Sequence, residues 1–198
     1  ELIRSLVKLK SNLPDMSGTT LSKTDLCALD LTYVDFTDAD LTHALLIGVN
    51  LTQADLVRTN FQKANLGGAN FYNADLTEAI FVDANMAKTD LSEAVLVDTN
   101  LKNADLGFGS DLTYADLTNA NFNGANLRSA KFPGTIFNGT DLTGADLSLA
   151  EDLTATQIQS ATIDKTTRFP DYVKINWTSD TTYDITIEEI PEEEGEEG

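Results

Sequence analysis

The chain has 198 residues, of which 32 are Asp or Glu and 13 are Lys or Arg, giving a formal net charge of −19 with 41% hydrophobic residues. That length and apolar content fit one folded domain and exclude a wholly disordered chain. The charge disfavours unspecific attraction to nucleic acid phosphate or an anionic membrane and favours a partner with a basic surface. No apolar run approaches the roughly 20 residues of a membrane span.

At the start of the chain, Leu2, Ile3, Leu6, Val7, Leu9 and Leu13 fall at helical spacing before Pro14. They predict a short amphipathic helix over residues 1 to 11, within an N-terminal cap of residues 1–18. The first residue is Glu1, which suggests a processed or trimmed product. The cytoplasm is the expected compartment, with the periplasm or thylakoid lumen open if a signal segment was removed. The single cysteine, Cys27, has no partner for an internal disulfide and leaves the redox compartment undetermined.

From Leu21 onward the dominant signal is a period of five. An apolar residue stands at every fifth position from Leu21 to Leu106, from Leu112 to Leu147 and from Leu153 to Ile163. These 29 centres are 19 Leu, 7 Phe, 2 Ile and Met86, and the residue two positions earlier is 16 times Ala and 8 times Thr. The residue just before the centre is Asp 13 times and Asn 8 times. Five matches neither the 3.6 of a helix nor the 2.0 of a strand, so each unit must turn a corner. With the centre and the small residue pointing inward, the other three positions face water.

The unit Ala-Asp/Asn-Leu-x-x, as in Ala39-Asp40-Leu41 and Ala74-Asp75-Leu76, resembles that of the pentapeptide-repeat family. The resemblance covers residues 19 to 163. It implies an all-β fold, a right-handed quadrilateral β-helix with four units per coil and about 7 coils, about 34 Å tall at an inter-strand spacing of about 4.8 Å. It also makes a cyanobacterial source an expectation. The register slips by one residue at Gly107-Phe108-Gly109-Ser110 and again at Ala150-Glu151-Asp152. Under four units per coil both slips fall between the second and third sides, as repeated insertions at one corner of a stacked coil would.

Thr166-Thr167-Arg168-Phe169-Pro170 resembles the closing segment common in that family, ending a β-helix domain of residues 19–169. Beyond it, Val173, Ile175 and Trp177 alternate with polar residues, as do Tyr183, Ile185 and Ile187. With a five-residue polar stretch between them, the pattern predicts a C-terminal β-hairpin in a cap of residues 170–187, laid on the last coil. Residues 188–198 read as a disordered acidic tail.

Stacking residues 20 apart, or 21 across a slip, sorts the outward positions by side. One side gathers Asp35, Asp38, Asp55, Asp75, Glu78, Asp98 and Asp116, with Arg58 as its lone cation. These seven residues are the candidate interaction surface. A neighbouring side carries Lys23, His43, Lys63 and Lys102, a third shows Tyr33, Tyr72 and Tyr114, and the second holds Gly48, Gly67 and Gly68 with little charge. Regularly spaced carboxylates on a rod resemble a phosphate backbone, and some members of the family that protect DNA gyrase are understood to use this. The simpler reading is that Asp and Asn serve the turns and keep the rod in solution.

Catalysis needs a pocket with convergent polar groups, which a filled column does not supply. His43 and Cys27 both fall at outward repeat positions without an orienting partner. Gly107-Phe108-Gly109-Ser110 lacks the strand-to-helix context and the Lys of a phosphate loop. One carboxylate per coil falls short of the oxygens a calcium site requires. The expectation is therefore a non-enzymatic, monomeric structural or protein-interaction solenoid without catalytic residues, cofactor or metal, which contacts neither nucleic acid nor membrane directly. The alternative is a DNA mimic that binds a DNA-binding enzyme such as gyrase.

Overall fold

The computed structural model describes residues 15–188. The helix expected over residues 1 to 11 lies outside them, as does the tail from residue 189.

The regular five-residue units close on themselves through a backbone bond from the small residue to the preceding centre, as in Thr24 N–H to Leu21 O at 3.2 Å and Ala44 N–H to Leu41 O at 3.0 Å. The third residue of such a turn has positive φ, 60° at Lys23, 58° at His43 and 58° at Glu78. A positive φ at that position alone marks a type II turn, where glycine is the easy choice. For a side-chain-bearing residue this conformation costs roughly 1–2 kcal/mol. It persists because the same residue's N–H donates to the next coil: Lys23 to Thr42 O at 2.9 Å and His43 to Gln62 O at 3.0 Å. The turn is therefore held by stacking as well as by its own bond.

Between turns the chain is extended for too short a distance to make a strand, and pairs instead through isolated parallel bridges. These link each residue before a centre to the one 20 further on, in four files that recur every five residues. Asp35, Asp55 and Asp75 follow one another in one file, and Asp40, Asn60 and Ile80 in the next. The chain is thus a β-helix solenoid, stabilised coil against coil.

The interior is the predicted one. Leu56, Leu76 and Leu96 are fully buried, and the residues before them, Asp55, Asp75 and Val95, bridge in succession, so the three centres form one file. Ala54, Ala74 and Ala94 are buried beside them. At several of the inward positions where Thr replaces Ala, its hydroxyl reaches back to the coil before: Thr59 Oγ1 donates to Phe36 O at 2.7 Å, Thr99 Oγ1 to Leu76 O at 2.8 Å and Thr140 Oγ1 to Leu117 O at 2.8 Å, while Thr89 Oγ1 bonds Met86 O of its own unit at 2.8 Å. A buried hydroxyl without a partner would be costly, and these have one.

The two slips differ in construction. At the first, Gly107-Phe108-Gly109 widen the corner before the Asp111 bridge, and Asp90 pairs with Asp111, 21 residues on. Ser110 enters the core, accepting from Thr89 N–H at 3.2 Å and donating to Met86 O at 3.1 Å. At the second, Glu151 keeps the 20-residue spacing to Lys131, and the extra residue is Asp152, at φ 59°, after the bridge. A further slip lies beyond Ile163, because Asp146 pairs with Arg168, 22 residues on.

The repeat unit expected around Ile158 takes another form, which corrects the uniform repeat reading up to Ile163. Ala155–Ser160 is an α-helix (α1), with Ile158 fully buried at the place of a centre. Thr154 and Gln157 form a capping box at its start, a local signal stronger than the weakened repeat. Gln157 Nε2 then donates to Phe132 O and Thr135 O at 2.9 and 3.0 Å, engaging carbonyls of the coil beneath.

The hairpin is present. Val173–Trp177 (β1) and Tyr183–Ile187 (β2) pair antiparallel, Ile175 opposite Ile185, around the five-residue loop 178–182. Its apolar face packs on the end of the column, and Tyr172 anchors it there: the hydroxyl accepts from Leu153 N–H at 3.1 Å and donates to Ala150 O at 2.9 Å. Among the described residues, no helix is long and apolar enough to cross a membrane.

Candidate functional site

The seven acidic residues divide between two adjacent files. Asp35, Asp55, Asp75 and Asp116 stand at the bridge position before a centre, while Asp38, Glu78 and Asp98 occupy the positive-φ turn position. The first file is interrupted by Val95 between Asp75 and Asp116 and ends at Ile136. The second is interrupted by Arg58.

Most of the bridge-position carboxylates serve the fold. Asp35 Oδ1 accepts from Thr37 N–H at 2.9 Å, Asp75 Oδ1 from Thr77 N–H at 3.0 Å and Asp116 Oδ1 from Thr118 N–H at 2.9 Å. Asp55 Oδ1 accepts from Val57 N–H at 3.3 Å and from Thr37 Oγ1 in the preceding coil at 3.0 Å. Asn makes the same bond elsewhere, as at Asn121 to Asn123 N–H, 2.9 Å. A side-chain oxygen accepting from the backbone two residues on is what Asp and Asn supply to turns. The requirement is for the oxygen, and the charge is additional to it.

At the turn file, Arg58 grips Asp38 with both arms of its guanidinium, Nε to Oδ1 at 2.6 Å and Nη2 to Oδ2 at 2.8 Å. That pairing holds the Asp38 carboxyl below the usual carboxylate range and pushes Arg58 up. Glu78 and Asp98 are exposed and continue the file beyond it.

His43 is exposed on the turn file of the Lys23 side, and Cys27 is half-buried on the outside of the second side. Among the described residues, no three of His, Cys, Asp and Glu are grouped so as to hold a metal ion. The outward aromatic residues Tyr33 and Tyr114 are 72% and 66% exposed, and the inserted Phe108 is 72% exposed. Aromatic exposure of this degree is a common mark of contact surfaces.

The sequence reading missed one constellation. Arg128 and Arg168 approach the Asp146 carboxylate from neighbouring coils, at 3.7 and 3.5 Å. Counting in steps of 20 does not bring them together, because the slips at Asp152 and beyond Ile163 together shift Arg168 by two residues; only the Asp146–Arg168 bridge reveals it.

Filled coils stacked in register, with turn-serving Asp and Asn on the outside, define a repeat-built β-helix solenoid. The family model for pentapeptide repeats matches residues 15–46, 35–71, 69–107 and 110–148, and the chain belongs to that family. No curated protein matches it. Among solved structures, it is similar to HetL, a pentapeptide repeat protein involved in heterocyst differentiation regulation from the cyanobacterium Nostoc, at 24% identity over 86% of this chain and 93% of that one, TM-score 0.43. It is also similar to full-length QnrB1, a plasmid-mediated fluoroquinolone resistance protein, at 17% identity over 77% and 89%, TM-score 0.43. A third is Rfr23, a pentapeptide repeat protein from the cyanobacterium Cyanothece, at 24% identity over 77% and 88%, TM-score 0.28.

Proposed function

We propose that this chain is a non-enzymatic interaction solenoid, a right-handed four-sided column of about seven coils that presents its acidic files to a protein with a basic surface. The proposed division is a cap over residues 1–18, the column over 19–169, a closing hairpin segment over 170–187 and a tail over 188–198. The observation that carries the function is the stacking of Asp35, Asp55 and Asp75 in consecutive coils, beside Glu78 and Asp98, on a chain of net charge −19. Successive carboxylates about 4.8 Å apart create a continuous negative field that steers basic partners. The filled interior supports a role at the surface rather than in a pocket.

The same carboxylates underlie the second reading, a DNA mimic acting on a DNA-binding enzyme such as gyrase. Three features favour the broader reading: Val95 breaks the file, Arg58 cancels Asp38, and one oxygen of each bridge-position Asp is engaged in its turn.

The test uses the chemistry of the turn. Changing Asp35, Asp55 and Asp75 together to Asn removes three charges and keeps the turn acceptor. The variant is expected to match the parent in thermal stability and to lose binding to a basic protein partner, while the parent leaves gyrase supercoiling unaffected at micromolar concentration. Partner binding that survives the triple substitution would refute the acidic-file assignment. Inhibition of supercoiling by the parent, lost in the variant, would replace it with mimicry.

A further inference from the structure

Near the end of the column, Gly124, Asn126, Arg128, Gly144, Asp146 and Arg168 line an open cleft of ≈ 500 Å³. Its polar groups are unevenly matched. Two guanidiniums, 48% and 73% exposed, face the single Asp146 carboxylate. At 3.7 and 3.5 Å they neutralise it by charge, but neither guanidinium makes a side-chain hydrogen bond to a described residue. The Asp146 oxygen Oδ1 is itself engaged by Ser148 N–H at 3.0 Å. Asp164, which borders the cleft through Gly144 and Thr166, has its Oδ1 engaged by the Thr166 and Thr167 N–H groups, the Thr166 hydroxyl and Gly144 N–H. The contrast with Arg58 is direct, since there both arms of the fork are filled by Asp38. Each arginine fork at the cleft is free to take a carboxylate in the bidentate geometry it favours.

We propose that Arg128 and Arg168 form a carboxylate-binding cleft whose occupant is the glutamate-rich stretch 189–198 of the same chain. That stretch contains six glutamates, at 189, 192, 193, 194, 196 and 197. It follows Glu188, the last described residue, which is held at the hairpin. Glu188 N–H donates to Tyr172 O at 2.7 Å, and Glu188 pairs with Lys174 at 3.6 Å. Tyr172 is four residues from Arg168, so their Cα atoms lie within about 15 Å, whereas ten further residues reach about 33 Å when extended. A tether of this length sets an effective concentration in the millimolar range, enough to populate contacts that are individually weak. At the cleft two arginines converge on one carboxylate with their donors open, and the tail is the densest run of carboxylates in the chain. This inference concerns an internal contact and does not depend on any outside partner of the acidic files.

The experiment uses the full chain, with Cys27→Ser and Gly198→Cys carrying a nitroxide spin label, and reads amide signals by NMR. In about 0.1 M salt the amides of Gly124, Asn126 and Gly144 are expected to lose most of their intensity. Near 1 M salt, where the screening length falls to about 3 Å, they should recover. They should also recover in Arg128→Ala/Arg168→Ala and in Glu192→Gln/Glu193→Gln/Glu194→Gln, with the remaining amide signals in place. The tail substitutions keep the test decisive if the arginine variant fails to fold. Unbroadened cleft amides in the labelled parent, or broadening that persists in the tail variant or at high salt, would overturn the proposal. So would recovery produced only by added inorganic phosphate with the tail variant unchanged, which would make the cleft a phosphate site.

Discussion

The rings of Phe61 and Phe81, one coil apart, stack with centroids at 4.8 Å and planes inclined by only 7°. Phe71, from the opposite side, meets both edge-on at 6.2 and 6.0 Å. All three are fully buried. Phe81→Ala removes the partner of two ring contacts and is expected to cost about 3–5 kcal/mol. Phe81→Leu, which installs the commonest centre of this repeat, is expected to cost clearly less. Urea unfolding midpoints compare them, and equal losses would show that the ring contacts add nothing beyond filling.

Deleting Phe108 turns the first slip into an ordinary unit, Leu106-Gly107-Gly109-Ser110-Asp111, followed by Leu112. Thermal unfolding is expected to move by no more than about 4 °C, the equivalent of about 1 kcal/mol for a chain of this size. Deleting Asn73 from a regular turn shifts every later centre by one position and should unfold the chain or lower its midpoint far more. A large loss on removing Phe108 would mean that the widened corner is needed by the fold.

The Asp38–Arg58 pair gives an acid dependence with a definite sign. Arg58 lowers the Asp38 carboxyl, so the pair's stabilisation is present above the unfolded-state value of about 3.9 and disappears as pH falls through the lower folded value. NMR titration of Asp38 should show a midpoint below that of an ordinary aspartate, returning to the usual range in Arg58→Gln. Both groups are exposed, so the change in global stability should be slight. An unmoved midpoint in the variant would contradict the pairing.

Tyr172 joins hairpin to column. Tyr172→Phe leaves Leu153 N–H without its acceptor and is expected to cost roughly 1–3 kcal/mol. Faster hydrogen exchange should appear first in β1 and β2, with the distant coils unchanged. Burial pushes the Tyr172 hydroxyl above its ordinary value of 10.0. Its contribution is therefore full below that pH and is lost as pH rises through the folded value. Hairpin exchange that is unaltered in the variant would remove the anchor role.

Much of this was legible because the repeat is local and its packing is between nearest neighbours. Once the period is five and the coil returns after 20 residues, arithmetic assigns Leu56, Leu76 and Leu96 to one interior file and Asp35, Asp55 and Asp75 to one outer file. The hairpin was equally readable, since Val173, Ile175 and Trp177 show a strict alternation that only a half-buried strand explains. The candidate acidic residues fell where counting put them, but counting could not say which were engaged. Whether Asp55 bonds Val57 and Thr37, or Asp38 takes Arg58, depends on side-chain directions across coils.

Sequence alone determined the period, the inside and outside of each coil and the order of the files, because a side chain's burial in a stacked solenoid depends on its place within a five-residue unit. Tertiary structure decided what happens where that repetition fails. At α1 a capping box prevails over a repeat unit near the column's end. At the second slip, Asp152 bulges out after the Glu151 bridge. At the cleft, a two-residue displacement brings Arg168 level with Asp146 and Arg128. At α1 the bonds from Gln157 to Phe132 O and Thr135 O, and at the cleft the approach of Arg128 and Arg168 to Asp146, join residues about 20 apart in the chain, and their geometry is fixed only once both coils are in place.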